Sequence, residues 1–421
     1  MPATSSPRHF ADALHVRDIR FFLAAVAFFT LASRATLVII GFQIYSIARH
    51  PAALGLLGLV EAIPAISLVL FGGHVADHFN RRKILLTTRA VSCVCALALA
   101  ALSWHSHHAS LLGLYAVIFM AGIARGFADP AGTAFEAQVV PKHLTVNAAS
   151  WVSSTWISCA VLGPAMVGFL YAWWGAARAY LLIAALFVIS WGCMWLIGPK
   201  PQPKPTTVEP LLKSIGIGWR FVFAHQPLLG AMTLDLFAVL FGGTMALLPI
   251  YAEDILRVGA KGLGMLNAAP FLGALITTLV ATHRPPIVRA GRNLLFAVAG
   301  FGVSIIVFAF SKHFWWSMAA LFASGVCDGV SIVIRRSMVR LLSPDALRGR
   351  IAAANWVFIS ASNELGAFES GMVAALIGTI PCVAVGGLIT LGVVATVASV
   401  APQLRRLAFD VHTLEHQAAA G

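Results

Sequence analysis

The chain is 421 residues long, with 59% hydrophobic and only 11% charged residues. A soluble domain carries about 25% charged residues, so this composition excludes a soluble fold and puts most of the surface in lipid. The net charge of +13 could suit nucleic acid, but the basic residues sit in short clusters between long apolar runs. That placement is a topology signal, and a nucleic-acid partner is set aside.

A helix needs about 20 residues to cross the hydrocarbon core of a bilayer. The apolar run after Arg20 is too long for a signal-peptide core and is interrupted by Arg34, so it reads as the first span. Runs bounded by charges or Pro/Gly breaks predict spans near 21–47, 53–76, 84–104, 109–135, 146–174 and 178–198. The segment from Lys200 to Arg220 follows, opening Lys-Pro-Gln-Pro-Lys-Pro. Its prolines cannot sustain a helix, so it reads as a linker running into a short amphipathic segment. A second set of spans is expected near 226–251, 261–282, 291–311, 315–341, 350–377 and 379–401. The fold class expected is an all-α membrane protein with twelve transmembrane helices in two pseudo-symmetric six-helix bundles, 1–199 and 221–421, joined by the linker 200–220.

With both termini cytoplasmic, 22 of the 29 Lys and Arg residues fall on the cytoplasmic side and five on the other. This bias sets the expected orientation, in an inner (plasma) membrane. The halves also repeat. A shift of 203 residues superposes Gly122 on Gly325, Gly126 on Gly329, Pro141 on Pro344 and Gly168 on Gly371. A shift of 206 pairs Ile44-Tyr45 with Ile250-Tyr251, Gly58 with Gly264 and Pro64 with Pro270. Parallel repeats of this kind place a binding site near the midplane, between halves that rock against each other.

Four stretches carry local signals. The second span closes on Gly73-His-Val-Ala-Asp77-His-Phe-Asn-Arg81-Arg82-Lys83. A tight turn between helices needs a small residue for close packing, supplied by Gly73, and one tolerant of left-handed geometry, supplied by Asn80. Asp77 and Arg81 are four apart and can pair. The bland alternative is a basic loop that only fixes topology. The fifth span carries Gly163-Pro164-Ala-Met-Val-Gly168, where Gly and Pro permit a bend and close helix contact. The remaining two are Arg125-Gly-Phe-Ala-Asp129-Pro130 through Val140-Pro141, and Asn363-Glu364-Leu-Gly-Ala-Phe-Glu369-Ser-Gly371.

With these motifs the chain resembles the major facilitator superfamily, whose signature loop reads Gly-x-x-x-Asp-x-x-x-Arg-Arg/Lys. It departs from that loop at His78, where Arg is usual, and at Asn80, where Gly is usual. Gly163, Pro164 and Gly168 match the Gly-Pro motif of the superfamily's exporters and antiporters, while Cys159 and Val167 replace expected glycines. The last two stretches resemble the branch of enterobactin and drug exporters. The resemblance implies secondary transport by alternating access, with export of a siderophore or amphipathic small molecule and protons as the coupling ion. It also makes Glu136 the acidic partner of Arg81 in a cytoplasmic gate.

In the fold so implied, spans 1, 4, 7 and 10 line a central cavity. Arg34, Arg125 with Asp129, Asp235 and Asp328 fall on these four spans in turn. An ionisable side chain within a span is costly unless partnered or wet, and is a functional candidate by default. The expectation is that Arg34 and Arg125 face Asp235 and Asp328 across the cavity, with Asp235 the first choice of coupling acid. Fixed ion pairs that lock helices are the alternative. Glu61 in span 2, and Glu364 and Glu369 in span 11, are further acids able to carry a proton or to bond a helix backbone.

No cofactor is expected. His105-Ser-His107-His108 has no acid or cysteine nearby and reads as a solvated loop rather than a metal site. The six cysteines lie in apolar stretches without ligand spacing. No Gly-rich Lys-Ser/Thr loop exists for ATP. The rivals are an importer or facilitator of the same fold, an intramembrane enzyme (for which no nucleophile–base pair is found) and a non-transporting assembly protein. A monomer is expected.

Overall fold

The computed structural model describes residues 12–104, 110–201, 211–283, 286 and 288–409. The His105–His108 cluster, and most of the linker, lie outside the described residues. The helices run in chain order as α1 (Asp12–His15), α2 (Arg17–Ala48), α3 (Pro51–His78), α4 (Arg81–Ser103), α5 (Leu111–Val139), α6 (Thr145–Trp195) and α7 (Leu211–Ala224). They continue as α8 (Gln226–Phe241), α9 (Thr244–Ile250), α10 (Gly259–His283), α11 (Ala290–Phe310), α12 (Phe314–Leu342), α13 (Asp345–Ile377), α14 (Thr379–Val400) and α15 (Pro402–Arg405). Among the described residues every regular element is helical, so the all-α expectation holds.

Ten helical stretches among the described residues are long and apolar enough to cross a membrane. One of them, in α6, is broken at Gly175, whose φ of 77° leaves the helical region. Glycine adopts such a φ without steric penalty, and the break divides α6 where the fifth and sixth spans were expected to part. α13, 33 residues long, is not among the ten. Large apolar side chains point outward, with Phe71, Leu112, Trp315 and Leu376 between 67% and 82% exposed. In water such a surface would drive aggregation; in lipid it is the ordinary exterior.

The chain forms two compact units. Unit 1 comprises Met1–Gln43 with Val60–Thr206, and unit 2 comprises Ile44–Leu59 with Thr207–Gly421. In unit 1, Ile19, Phe22, Phe135, Met194 and Ile197 build a buried cluster, with the rings of Phe22 and Phe135 6.2 Å apart. In unit 2 the corresponding cluster holds Leu228, Leu234, Leu294, Ile334, Met338 and Leu404.

The repeat seen in the sequence has a packing counterpart inside each unit. A Cβ on Gly122 of α5 would lie 2.5 Å from the Glu61 carbonyl oxygen and 2.7 Å from Pro64 of α3. A Cβ on Gly325 of α12 would lie 1.9 Å from the Pro270 carbonyl oxygen of α10. Thus a glycine on one helix seats against a proline-bearing helix in both units, and the pairs Gly122/Gly325 and Pro64/Pro270 are the ones the repeat shifts align.

A buried polar chain ties unit 1 together. The Tyr180 hydroxyl donates to Gln43 Oε1 at 3.0 Å, and Gln43 Nε2 donates to Ser103 Oγ at 2.8 Å. Tyr180 is fully buried, so its hydroxyl depends on Gln43. Gln43→Leu is expected to cost about 1–3 kcal/mol by stranding that hydroxyl, read as a lower thermal midpoint in detergent. Tyr180→Phe in the same background should recover most of the loss.

Candidate functional site

Arg81 anchors the loop between α3 and α4. Its Nε donates to the Ala76 carbonyl at 3.0 Å, Nη1 to the Ala134 carbonyl at 3.3 Å, and Nη2 pairs with Asp77 at 3.5 Å. The i,i+4 pairing of Asp77 and Arg81 is as the spacing suggested. The partner on α5 is different: among the described residues Arg81 bonds the backbone of Ala134, and Glu136 is not among its acceptors. Two further details of the loop also differ. Asn80 is not left-handed; at φ −64° and ψ 109° it caps α4, its side chain accepting from the Lys83 amide at 3.2 Å. Asn is a favoured N-cap because its oxygen satisfies an orphan helix donor. The close-packing glycine is Gly72 rather than Gly73. A Cβ on Gly72 would fall 2.3 Å from the Gly126 carbonyl oxygen, whereas one on Gly73 meets nothing within 4 Å. Pro130, four residues after Gly126, lacks the amide that would bond that carbonyl inside the helix, and Gly72 approaches at this point. Arg82 donates to the Trp195 carbonyl at 2.6 Å, tying the loop to the end of α6.

The Gly-Pro segment of α6 packs on α2. A Cβ on Gly163 would lie 3.0 Å from the Leu31 carbonyl oxygen and 3.2 Å from Arg34 Cβ. Pro164 sits inside the helix, and Gly168 lies on the same segment. The Arg34 guanidinium lies 4.8 Å from the Trp156 ring centroid, a cation–π contact.

Two charged triads lie within the helices. In unit 1, Arg125 of α5 pairs with Glu61 of α3 at 2.9 Å and with Asp129, one turn along α5, at 3.6 Å. The close approach of α3 and α5 at Gly122 brings Glu61 within reach. In unit 2, Arg335 of α12 contacts Asp235 of α8 directly and pairs with Asp328, two turns earlier on α12, at 3.8 Å. The acids set opposite Arg34 and Arg125 by the sequence reading therefore take Arg335. α12 runs on to Leu342, so Arg335 belongs to the helix.

α13 presents the remaining acids. Glu364 and Glu369 are both half-buried, and the Ser370 hydroxyl donates to Glu369 Oε2 at 3.4 Å. Between them, a Cβ on Gly366 would lie 2.8 Å from the Leu240 carbonyl oxygen, so α13 packs closely on the end of α8. Among the described residues no group of three or more His, Cys, Asp or Glu side chains is placed to hold a metal ion.

The sequence model of the Major Facilitator Superfamily matches residues 22–367, most of the chain. The chain belongs to the Major Facilitator Superfamily. It is 28% identical over 286 residues to the enterobactin exporter EntS of Shigella flexneri, covering 67% of each chain. EntS of Escherichia coli matches at 27% identity over the same length and the same shares. Among solved structures it is similar to a POT family transporter in complex with 5-aminolevulinic acid, with a TM-score of 0.72 at 11% identity, covering 92% of this chain and 96% of that one. The nucleoside transporter NupG gives a TM-score of 0.68 at 12% identity, with coverage of 92% and 99%. At such identities the likeness shows the fold. This major facilitator protein is a multi-pass membrane transporter and not an enzyme.

Three features of this transporter were missed in the sequence. Arg335 is the cation of the second triad. Arg89 is buried in α4, its guanidinium 5.4 Å from the Phe29 ring centroid. The third lies in unit 2, where Arg49, at the end of α2, pairs with Glu253 at 2.5 Å and Asp254 at 3.3 Å. Tyr45 also donates to Asp254 there. Glu253 and Asp254 sit on a π-helical turn, Tyr251–Ile255, which turns consecutive acids toward one arginine. Arg49 and Arg257, which close the helical runs before them, share a left-handed backbone with φ of 49° and 53°.

Proposed function

We propose that the protein is a proton-coupled exporter of a siderophore or other amphipathic small molecule, working by alternating access in the inner membrane. The observation that carries the reading is the match to enterobactin exporters over two thirds of both chains. Ionisable groups held within apolar helices support proton coupling. Arg34, Arg125, Asp129, Asp235, Asp328, Glu364 and Glu369 are the groups through which a proton could act, since each such group within a span is costly to keep without a task. The positive-inside bias supports cytoplasmic termini and a cytoplasmic linker at 200–220. With the break at Gly175 counted as dividing two spans, and α13 as a further one, the helices support twelve crossings, which the reading divides between bundles 1–199 and 221–421.

The loop with Gly73, Asp77, Arg81 and Arg82 is assigned a gating role. Asp77→Asn and Arg81→Ala are expected to impair transport while leaving membrane insertion intact. Asp77 is half-exposed and Arg81 12% exposed; the ion pair is worth up to about 1 kcal/mol, enough to shift a two-state equilibrium several-fold, and Arg81→Ala also gives up the hydrogen bonds to the Ala76 and Ala134 carbonyls. Wild-type transport in both variants would remove the gating role.

The experiment that tests the reading is accumulation of a panel of siderophores and lipophilic cations in deletion and overexpressing cells, with and without a protonophore. Lower accumulation on overexpression, abolished by the protonophore, is the expected result. Higher accumulation on overexpression would replace export with import.

A further inference from the structure

The helix α7 has 14 residues, against the roughly 20 that a bilayer crossing needs. Gly218 and Val222 are buried, while Gly216, Arg220 and Phe223 are exposed, so the helix lies along unit 2 with one side open. A short helix with one apolar side, an outward arginine and a tryptophan suits the membrane interface. At His225 the chain leaves the helical region, with φ −116° and ψ 97°, and Pro227 falls in the first turn of α8. The break lets α8 leave at an angle to α7. In that elbow lies a cavity of about 410 Å³, walled by Trp219 and Phe223 of α7 and by Leu229, Met232, Thr233 and Leu236 of α8. Its side-chain walls are apolar except for the Thr233 hydroxyl and the Trp219 ring nitrogen. The size is that of a small-molecule site, and Phe223 at its edge is 62% exposed.

The charge around this elbow is of one sign. Arg220 is three residues before Phe223 and shares its face of α7. Leu404 of α15 seats on α8 at Gly230, where a Cβ would lie 2.9 Å from Leu404 Cδ2. The Gln226 side chain of α8 donates to the Val400 carbonyl at 3.2 Å and accepts from the Gln403 amide at 3.1 Å. This docking brings the exposed Arg405 and Arg406 to the turn of α8 that carries Leu229. The Gly291 amide of α11 donates to the Leu407 carbonyl at 3.1 Å, which adds the exposed Arg289 and Arg292 to the same end of unit 2. Among the described residues, α7, α11, α14, α15 and the part of α8 before Asp235 hold no Asp or Glu. Clustered arginines at a membrane surface attract anionic headgroups, and here an apolar cavity adjoins the cluster.

We propose that the elbow between α7 and α8 binds an anionic phospholipid, its acyl chain in the cavity and its phosphate on the arginines led by Arg220. The lipid comes from the leaflet on the side of the linker. A zwitterionic lipid would fill the same cavity but carries no net charge for the arginines to attract. A soluble phosphate would meet the arginines and leave the cavity unused. A ligand that binds the folded protein raises its stability by mass action, so anionic lipid holds α7 against α8. The site is independent of what is transported and of the coupling ion.

The test uses the full-length protein in detergent with phosphatidylglycerol or phosphatidylcholine added, read by native mass spectrometry as lipid retained per chain. Phosphatidylglycerol should stay bound under activation that strips phosphatidylcholine. Arg220→Gln should lower its retention several-fold, and Arg220→Gln with Arg405→Gln and Arg406→Gln should bring it down to the phosphatidylcholine level. Arg178→Gln, which removes an exposed arginine of unit 1, should change nothing. Thr233→Phe, which fills the cavity, should also lower retention. Should that variant fail to fold, brominated acyl chains read the cavity without filling it. The fluorescence quenched in the wild type and lost in Trp219→Phe should then be larger with brominated phosphatidylglycerol than with brominated phosphatidylcholine. Equal retention of the two lipids, retention unmoved by the triple arginine variant, or quenching that Trp219→Phe leaves unchanged would overturn the proposal. Displacement of the lipid by glycerol phosphate would also overturn it, since the cavity would then hold no chain, as would a lipophilic cation retained there in its place.

Discussion

Arg335→Gln is expected to remove most of the folded protein recovered in detergent, a larger loss than Asp235→Asn produces. Arg335 is only 12% exposed and serves two carboxylates. Without it, Asp235 remains buried beside a second acid with no cation, and breaking a buried pair in this way costs about 3–5 kcal/mol. That is a large share of the roughly 5–15 kcal/mol typical of a whole domain. Asp235→Asn is milder, since Arg335 keeps Asp328 as a counter-charge. The double variant, Arg335→Gln with Asp235→Asn, should recover part of the yield, because only Asp328, 44% exposed, is then left without a cation. Monodisperse yield and thermal midpoint in detergent check all three. Equal stability of Arg335→Gln and wild type would show that the triad is not a structural tie in unit 2. A double variant no more stable than Arg335→Gln would place the loss elsewhere than in the stranded carboxylates.

The helices were legible because lipid imposes a composition that water does not. Long apolar runs with charged ends arise chiefly where helices cross a bilayer, and the break at Gly175 fell where the runs parted. The repeat was legible for a related reason. Close helix contact selects glycine, and Gly122, Gly126, Gly325 and Gly329 each face a neighbouring helix at distances a Cβ would violate.

The charges were harder, and the reason is geometric. Counting Arg and Lys near a span end treats them as loop, yet α12 continues seven residues beyond Arg335 to Leu342, and Arg89 lies well inside α4. Partners were harder still. Nothing local to Arg125 points to Glu61, 64 residues earlier; only the approach of α3 and α5 at Gly122 brings them together. The same limit applies to Arg81, whose acceptor on α5 is a backbone carbonyl, invisible to any residue pattern. The clasp of Arg49 on Glu253 and Asp254 needed the π turn to be seen first.

Glycines of a motif and glycines of a contact are different things, and substitution should separate them sharply. Gly325→Ala is expected to destabilise the protein strongly, and Gly73→Ala to leave it as stable as wild type or slightly more so. The added methyl of Gly325→Ala would sit 1.9 Å from the Pro270 carbonyl oxygen and 2.5 Å from Pro270 Cα. Both are backbone atoms, so α10 and α12 must separate along their contact. Overpacking costs about 1–3 kcal/mol even where side chains can yield, and here no side chain is available to move. At Gly73 the methyl meets nothing within 4 Å, and alanine in a helix interior gains up to about 1 kcal/mol over glycine. Gly122→Ala, the repeat partner of Gly325→Ala, should resemble it, since its methyl would lie 2.5 Å from the Glu61 carbonyl oxygen and disturb the seat of the Arg125–Glu61 pair. Thermal midpoints of the three variants in one detergent give the ranking. A Gly325→Ala protein that melts with the wild type would show that α10 and α12 are not in close contact at Pro270. A Gly73→Ala protein that melts far below it would return the packing role to the motif glycine.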